Sequence, residues 1–384
     1  MRLLPLTFAT TALSATIFSN WLENIQQAIA IDTQPKSLEQ EIISLHKDIV
    51  TINSVSGGEG EVGEYLADYL QAQGFTVETQ LVSEGRLNVY AYYGSKRDTK
   101  VLLTSHIDTV PPYLPYYIHE DRIYGRGSAD AKASVAAMVM AARSLHAEGS
   151  IEDGDLSLLF VVGEEYDGAG MKYASDNLGA EWDHAVFGEP TELKLGVGHK
   201  GMFHFDVNVT GKASHSGYPY LGIDANKKII DILYQIEHAE FPSDPLLGNT
   251  TVNVGLINAG VAGNVVSPIA NARCIIRVAH DAKGVSETVI GIIDEANKEY
   301  DNVKLISKQY EEPVYLDYEV PGFDTIILAY YTDIPNLKRT LKSRYLYGPG
   351  SIHVAHGADE YVTIGDLKAA IGGYKKLTKF LLEQ

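Results

Sequence analysis

Apolar positions along the chain follow two patterns that predict different secondary structures. Spacing of three and four residues predicts helices over 37–53, 61–73 and 131–146. Continuous apolar runs at 101–104 and 156–162 predict buried strands of a mostly parallel sheet. Shorter strands are predicted at 77–81, 87–93 and 185–187. This order of elements predicts a layered α/β domain with a mostly parallel sheet.

The pattern changes after residue 198, where alternation and helical spacing predict a second group of elements. They are a strand at 203–209, a helix at 223–236, strands at 251–257 and 270–278, a helix at 285–299 and a strand at 303–307. This βαββαβ order predicts a ferredoxin-like α+β domain inserted at 199–310. The first domain would then comprise 31–198 and 311–384, and it would end in a helix over 364–382.

Composition narrows the classes of function. The chain has 384 residues, which suggests two domains, and its formal net charge is −19. Such an acidic surface repels phosphate backbones and anionic lipids, so we expect no nucleic-acid or membrane partner. The single cysteine, Cys274, excludes an intrachain disulfide and a thiolate metal site. Any metal ion would therefore be bound by histidine and carboxylate side chains, which favours a hydrolytic ion.

The N-terminus has the features of a secretory signal. Arg2 precedes an apolar stretch over 3–18 that is too short to span a membrane, so a signal peptide is predicted at 1–20. An amphipathic N-terminal segment is the alternative interpretation. Two glycosylation acceptor triplets, at Asn208 and Asn249, favour export. The sequence therefore predicts a secreted glycoprotein.

One glycine motif has two interpretations. Residues 58–63 match G-x-G-x-x-G, which in a nucleotide-dependent oxidoreductase would bind a dinucleotide. That site requires a preceding strand, whereas a helix is predicted here, and Glu59 and Glu61 would face the pyrophosphate. We therefore interpret the motif as a helix start with acidic residues favourably placed on the helix dipole.

Histidine and acidic side chains follow several predicted strands. In open α/β sheets, binding sites form outside the carboxyl ends of the strands. Each of these side chains, taken alone, is more typical of a solvated loop or a helix cap than of a metal site. Together they suit a pair of zinc ions bridged by a carboxylate. The residues are His106, Asp108, Asp130, Glu164, Glu165, Glu189 and His356.

The ordered motifs resemble those of the M20 metallopeptidases, a family that includes acetylornithine deacetylase, succinyl-diaminopimelate desuccinylase, aminoacylase and glutamate carboxypeptidase. The motifs are His-x-Asp-Thr-Val at 106–110, Gly-Arg-Gly-Ser-Ala-Asp-x-Lys at 125–132, Gly-Glu-Glu at 163–165, Gly-Glu-Pro-Thr at 188–191 and Ala-His at 355–356. The resemblance covers nearly the whole chain after the signal segment. It implies a catalytic α/β domain, an inserted lid or dimerisation domain, and two zinc ions per subunit.

The resemblance also implies a role for each residue at the metal centre. His106, Asp130 and Glu189 would bind one zinc ion, and Asp130, Glu165 and His356 would bind the other. Asp130 would bridge the ions, and the peptide bond after it would be cis. Asp108 would orient His106 by a hydrogen bond, and Glu164 would be the general base.

Further residues are implied to contact the substrate. His215 would reach an active site, often that of the partner subunit in a homodimer, and stabilise the oxyanion. Its alternative is a surface-loop histidine. Asn264 and Arg277 match substrate-contacting positions, and Arg277 would bind a carboxylate, although a strand-edge salt bridge is equally typical. Backbone N–H groups would be offered to the same carboxylate by Gly348, Gly350 and Ser351.

The sequence therefore predicts a secreted, zinc-dependent hydrolase that cleaves an amide bond next to a free carboxylate. Secretion favours peptides as substrates, so a carboxypeptidase-like enzyme is the leading prediction. An N-acyl-amino-acid deacylase is the alternative enzyme. A catalytically silent binding protein of the same fold is a weaker alternative, because Glu164 and all the implied ligands are present.

Overall fold

The computed structural model describes residues 37–384, so the predicted signal peptide at 1–20 lies outside the described residues. The α-helices of this part are α1 Leu38–Thr51, α2 Gly60–Ala72, α3 Lys132–Ala147, α4 Ala169–Asn177, α5 Ala225–Glu237, α6 Ala282–Ala296 and α7 Ile364–Leu382. None of these described helices has both the length and the apolar character needed to cross a membrane.

The strands fall into one large sheet and several smaller ones. The first ten are β1 Thr76–Ser83, β2 Arg86–Tyr92, β3 Thr99–His106, β4 Tyr117–His119, β5 Arg122–Tyr124, β6 Leu156–Val161, β7 Trp182–Phe187, β8 Leu195–His199, β9 Gly201–Thr210 and β10 Ser214–His215. The others are β11 Ser243–Asp244, β12 Gly248–Asn249, β13 Thr251–Ala259, β14 Val265–Val266, β15 Ile269–Val278, β16 Val303–Glu311, β17 Val314–Tyr315, β18 Thr325–Leu328, β19 Ser343–Leu346 and β20 Tyr361–Thr363.

The large sheet has the order β1-β2-β6-β3-β7-β19. Strand β3 is parallel to both β6 and β7, and β19 is parallel to β7, whereas β1 and β2 form an antiparallel edge. Val101 and Leu103 of β3 lie in the core that includes residues of α1, α3 and α7, whereas Leu102 lies in the core beside α4. Burial of both faces explains the continuous apolar run of β3. The predicted layered α/β fold with a mostly parallel sheet is confirmed.

The inserted part forms a second sheet, of order β13-β15-β9-β16, in which every pairing is antiparallel. Helices α5 and α6 cover one face and share a separate hydrophobic core with it. The βαββαβ order is therefore present. The chain enters this sheet at Gly201 and leaves it at Glu311, which is one residue beyond the predicted boundary.

Among the element bounds that differ from the sequence prediction, two have a clear physical reason. Helix α6 begins at Ala282, three residues before the predicted start, because the Asp281 side chain accepts a hydrogen bond from the N–H of Gly284 and caps the helix. Strand β16 continues to Glu311 instead of ending at residue 307, past an irregularity between Ile306 and Gln309. An irregularity of this kind interrupts the alternation from which strands are predicted.

Candidate metal centre

The parallel strands bring their carboxyl ends to one edge of the large sheet. His106 is the last residue of β3 and pairs with Val161, the last residue of β6. Glu164 and Glu165 follow β6, and Glu189 follows β7, the other neighbour of β3. The strand order therefore gathers side chains that are up to 83 residues apart in sequence, as in the hydrogen bond from the Ser105 hydroxyl to Gly188 O.

The first group of candidate ligands is buried. The Nε2 atom of His106 lies 3.2 Å from Oδ1 of Asp130 and 3.8 Å from Oε1 of Glu189. One ligand atom from each of these three residues lies within 4.8 Å of the others. An imidazole and two carboxylates within that distance form a donor set suited to zinc or a similar divalent ion.

The second group shares Asp130 with the first. The Nε2 atom of His356 lies 3.4 Å from Oδ2 of Asp130 and 3.0 Å from Glu165, and these three residues again offer atoms within 4.8 Å. Asp130 thus presents Oδ1 to His106 and Oδ2 to His356. This is the geometry of a bridging carboxylate. The Asp130–Ala131 peptide bond is cis, as the resemblance implied.

The charges of the site also fit cations. Burial raises the pKa of Glu164 well above its usual value, and the charge of Glu189 raises that pKa further. Burial and the charge of Asp130 likewise raise the pKa of Glu165. Hydrogen bonds with Asp130 and Glu165 raise the pKa of His356 to about 10. Carboxylates crowded into a buried site repel one another, and divalent cations relieve that repulsion.

Asp108 holds candidate ligands in place by hydrogen bonds without belonging to either group. The Nδ1 atom of His106 lies 3.0 Å from the carbonyl oxygen of Asp108 and 3.5 Å from Oδ1 of its carboxylate, so Nε2 is left to face the candidate ligands. The same carboxylate accepts hydrogen bonds from the N–H groups of Glu164 and Glu165, at 3.0 and 3.1 Å, and from the Ser56 hydroxyl. Asp108 therefore orients a histidine and holds the loop that carries two glutamates.

Glu360 is a site residue that the sequence analysis missed. Its buried carboxylate accepts hydrogen bonds through Oε1 from the N–H groups of Ala129 and Asp130, at 3.1 and 3.2 Å. Its Oε2 accepts from Nη1 of Arg126 at 2.6 Å. The pair lies 234 residues apart in sequence, so no local pattern relates them. Glu360 fixes the backbone at Asp130, the residue that the two candidate ligand groups share.

Glu360→Gln is expected to weaken metal binding about 10–100-fold, the usual cost of removing a partner that orients a ligand. The amide keeps an acceptor for the two N–H groups but no longer balances the charge of buried Arg126. Competition titration of Zn²⁺ against a coloured chelator measures the affinity. Glu192→Gln is the matched control, because Glu192 accepts from the Ser351 hydroxyl and not from the backbone of Asp130. Equal affinity in wild type and Glu360→Gln would contradict this role.

Lys132 had no role in the sequence analysis, and the structure gives it one. Its Nζ is buried and donates to the carbonyl oxygens of Ile49 and Ile52, at 2.7 and 3.0 Å, at the end of α1. Burial lowers the pKa of Lys132 to about 7. A cation at a helix C-terminus satisfies carbonyl groups that lack partners within the helix. Lys132 therefore ties α1 to the start of α3.

The glycine motif at 58–63 begins helix α2, as we interpreted it. Glu59 is buried, and its carboxylate accepts hydrogen bonds from Arg86 and from the N–H of Gly57. Glu61 lies in the first turn of the helix. Helix α1, and not a strand, is the element that precedes the motif, so the geometry does not support the oxidoreductase alternative.

A cleft of about 430 Å³ separates the metal centre from the inserted sheet. Arg277 of β15 lines this cleft, and no hydrogen bond or ion pair within residues 37–384 engages its guanidinium. The described part of the chain therefore shows no strand-edge salt bridge at Arg277. Burial lowers the pKa of Arg277, while the charge of Glu164 acts in the opposite direction. A half-buried guanidinium without a partner is suited to binding an anion.

Other predicted substrate contacts lie away from this cleft. His215 and Asn264 are exposed neighbours, since Ser216 N–H donates to Asn264 O, and neither lines the cleft of its own chain. The N–H of Gly348 donates to the Thr191 hydroxyl, so it is not available to a carboxylate, which corrects that prediction. Gly350 and Ser351 bond to Glu192 through a carbonyl oxygen and a hydroxyl, respectively.

Comparisons with known proteins identify the family of this chain. A model of peptidase family M20/M25/M40 matches residues 102–379. A peptidase M20 domain-containing protein of Schizosaccharomyces pombe is 50% identical over 344 residues, covering 89% of this chain and 85% of that protein. A probable carboxypeptidase of Emericella nidulans is 44% identical over 398 residues, covering 92% and 93%. The crystal structure of an M20 family metallo-carboxypeptidase from Sulfolobus solfataricus has a TM-score of 0.73 at 17% identity, covering 90% of this chain and 100% of that one. The chain therefore belongs to peptidase family M20/M25/M40.

Proposed function

We propose that this peptidase binds two zinc ions and removes residues from the carboxyl end of peptides. One observation carries the proposal: unpaired Arg277 lines the cleft into which Asp130 offers its two oxygens to two ligand groups. A cation opposite a metal pair suits a substrate whose free carboxylate is adjacent to the scissile amide bond. The name of the Emericella nidulans relative, a probable carboxypeptidase, supports this substrate class.

Arg277 and Glu164 would carry out different steps of hydrolysis. Arg277 would bind the terminal carboxylate and so position the scissile bond near Glu164, whose charge already acts on Arg277. Two zinc ions, when bound, would supply positive charge that polarises the scissile carbonyl and acidifies the attacking water. Glu164 would take the proton of that water and then deliver it to the leaving amine.

Arg277→Met tests the proposal. Wild type is expected to prefer a blocked dipeptide with a free carboxylate over its carboxamide, and the variant is expected to lose most of that preference. A charge-assisted hydrogen bond is worth about 1.5–3 kcal/mol, so kcat/KM for the acid should fall about 10–150-fold. Arg273→Met is the control, because Asp206 already pairs with Arg273 through two hydrogen bonds of 2.8 and 3.0 Å.

Equal cleavage of acid and carboxamide by wild type would overturn the proposal. Faster cleavage of N-acetyl amino acids than of blocked dipeptides would favour the deacylase alternative.

We also propose that two copies associate through the inserted domain. Its edge strand β13 exposes Leu256 and Ile257, with 55% and 56% of their surfaces accessible, and α5 exposes Ile230 and Tyr234. An exposed apolar edge strand is a template for pairing with a second chain. The proposed dimer would give exposed His215 a cleft to enter, namely that of the partner.

His215→Ala is expected to lower turnover about 10²–10³-fold, the usual cost of losing one oxyanion donor, while metal content stays unchanged. Mixing His215→Ala with Glu164→Gln subunits should restore activity, because one cleft of each mixed dimer regains both side chains. Random exchange would return about a quarter of wild-type activity. Failure of the mixture to recover any activity would contradict a contribution from the partner.

Export is the remaining part of the proposal. The basic and then apolar N-terminus supports it, and the acceptor residues Asn208 and Asn249 are both exposed. Protein collected from the culture medium of its own host should lose mass on treatment with an endoglycosidase that removes N-linked glycans. Retention of all the protein inside the cells, with no change in mass, would overturn export.

A further inference from the structure

Two apolar side chains, those of Met202 and Ile275, lie next to Arg277 on the cleft face of the inserted sheet. Side chains alternate along β15, so Arg273, Ile275 and Arg277 share the face opposite to buried Cys274 and Ile276. Met202 of β9 lies directly across from Arg277 in the ladder. Arg277 therefore has one apolar neighbour two residues along its own strand and another on the adjacent strand.

Met202 and Ile275 do not serve the core of the inserted domain. That core consists of side chains from the other face of the sheet and from α5 and α6, and among the described residues it includes neither Met202 nor Ile275. Both line the cleft instead, and Val110 and Ile352 of the catalytic domain line it as well. Apolar side chains that face a cleft without a packing partner are available to a ligand.

The other charged groups of this wall already have partners. Asp206 pairs with Arg273, and Nζ of Lys172 donates to the carbonyl oxygen of Asp167. Glu311, opposite Met202 on β16, accepts a hydrogen bond of 3.4 Å from the Gln309 amide. His204, directly across from Ile275, and Gln309 also line the cleft. The wall beside Arg277 therefore combines one unpaired guanidinium with the apolar side chains of Met202 and Ile275 and with the imidazole of His204.

We propose that Met202 and Ile275 form the subsite for the side chain of the residue that carries the free carboxylate, and that this side chain is apolar. The inference rests on the proposed function, in which Arg277 binds the carboxylate. Neighbouring side chains on one face of a sheet have Cβ atoms about 4.5–8 Å apart. A residue whose carboxylate is bound to Arg277 therefore extends its side chain over Met202 and Ile275.

The test compares blocked glycyl dipeptides that end in leucine, alanine, glutamate or lysine. The leucine peptide is expected to exceed both charged peptides in kcat/KM by about tenfold or more, because even one methylene in an apolar pocket changes rates about 10–200-fold. A preference for glutamate would overturn the proposal. A preference for lysine would assign the subsite to Glu311 and would overturn it equally.

Ile275→Glu examines the subsite directly. It should lower kcat/KM for the leucine peptide and raise it for the lysine peptide, each by about tenfold or more, with metal content unchanged. Leu81→Glu is the matched control, since it adds the same charge at an exposed position of edge strand β1. Unchanged selectivity in Ile275→Glu would contradict the inference.

Binding separates failure of this inference from failure of the proposed function. Calorimetric titration of zinc-loaded Glu164→Gln protein with the four dipeptides reports affinity without turnover. If wild type cleaves none of them but the leucine peptide binds most tightly, the proposed function fails and the subsite stands. If the peptides are cleaved but leucine and glutamate bind equally, the subsite fails and the proposed function stands.

Discussion

Glu164→Gln is expected to lower turnover about 10²–10⁴-fold, the contribution of a positioned general base, while the protein keeps its full metal content. Glu164 belongs to neither ligand group, although it lines the cleft beside Asp130 and Glu189. Its N–H donates to Asp108, which fixes the residue in place. Glutamine preserves that backbone contact and the size of the side chain, but it cannot accept the proton of the attacking water.

The measurement pairs kcat with the metal content determined by mass spectrometry on the same samples. Glu165→Gln is the matched control at the next residue, because Glu165 belongs to the second ligand group. That variant should lose metal and activity together, whereas Glu164→Gln should lose activity alone. Wild-type turnover in the Glu164→Gln enzyme would contradict the assignment of Glu164 as the general base.

Asp130→Asn is expected to weaken the binding of both ions, each by more than the roughly 10–100-fold that removal of an orienting partner costs. The amide retains one oxygen, and its NH₂ group cannot replace the oxygen that faces the other histidine. Hydrolysis should then fall below the level of Glu164→Gln. The reason is that both oxygens of Asp130 are engaged: Oδ1 lies 3.2 Å from Nε2 of His106, and Oδ2 lies 3.4 Å from Nε2 of His356.

Equilibrium dialysis of Asp130→Asn against Zn²⁺ counts the ions that remain. Asp108→Asn serves as the comparison, because Asp108 orients His106 without belonging to either ligand group. It should weaken each ion by no more than roughly 10–100-fold, since Asp108 orients His106 and the loop of Glu165 without providing a ligand atom. Loss of only one ion from Asp130→Asn would contradict a bridging role for Asp130.

The parts of the fold that the sequence predicted well are those with a strong repeating signal. Helix α7 spans 364–382 as predicted, because its apolar face recurs through five turns and Thr363 caps its start. The candidate metal ligands could be picked out from the sequence for a related reason. Each follows an apolar strand or a glycine turn, and parallel strands bring their carboxyl ends to one edge.

The parts that escaped prediction depend on single contacts between distant segments. The Glu360–Arg126 pair and the bonds of Lys132 to α1 join residues that are 80–234 apart and have no shared periodicity. The prediction that the Gly348 N–H is free to bind a carboxylate was wrong for the same reason. Its N–H is paired with a hydroxyl 157 residues away, which no turn motif reveals.

The most direct test of the account is a titration of chelator-stripped protein with Zn²⁺, following cleavage of a blocked glycyl-leucine dipeptide. The account predicts no hydrolysis without metal and a plateau of activity at two ions per chain, since the site offers two ligand groups that share Asp130. Full activity of the stripped protein, or a plateau at one ion, would contradict it.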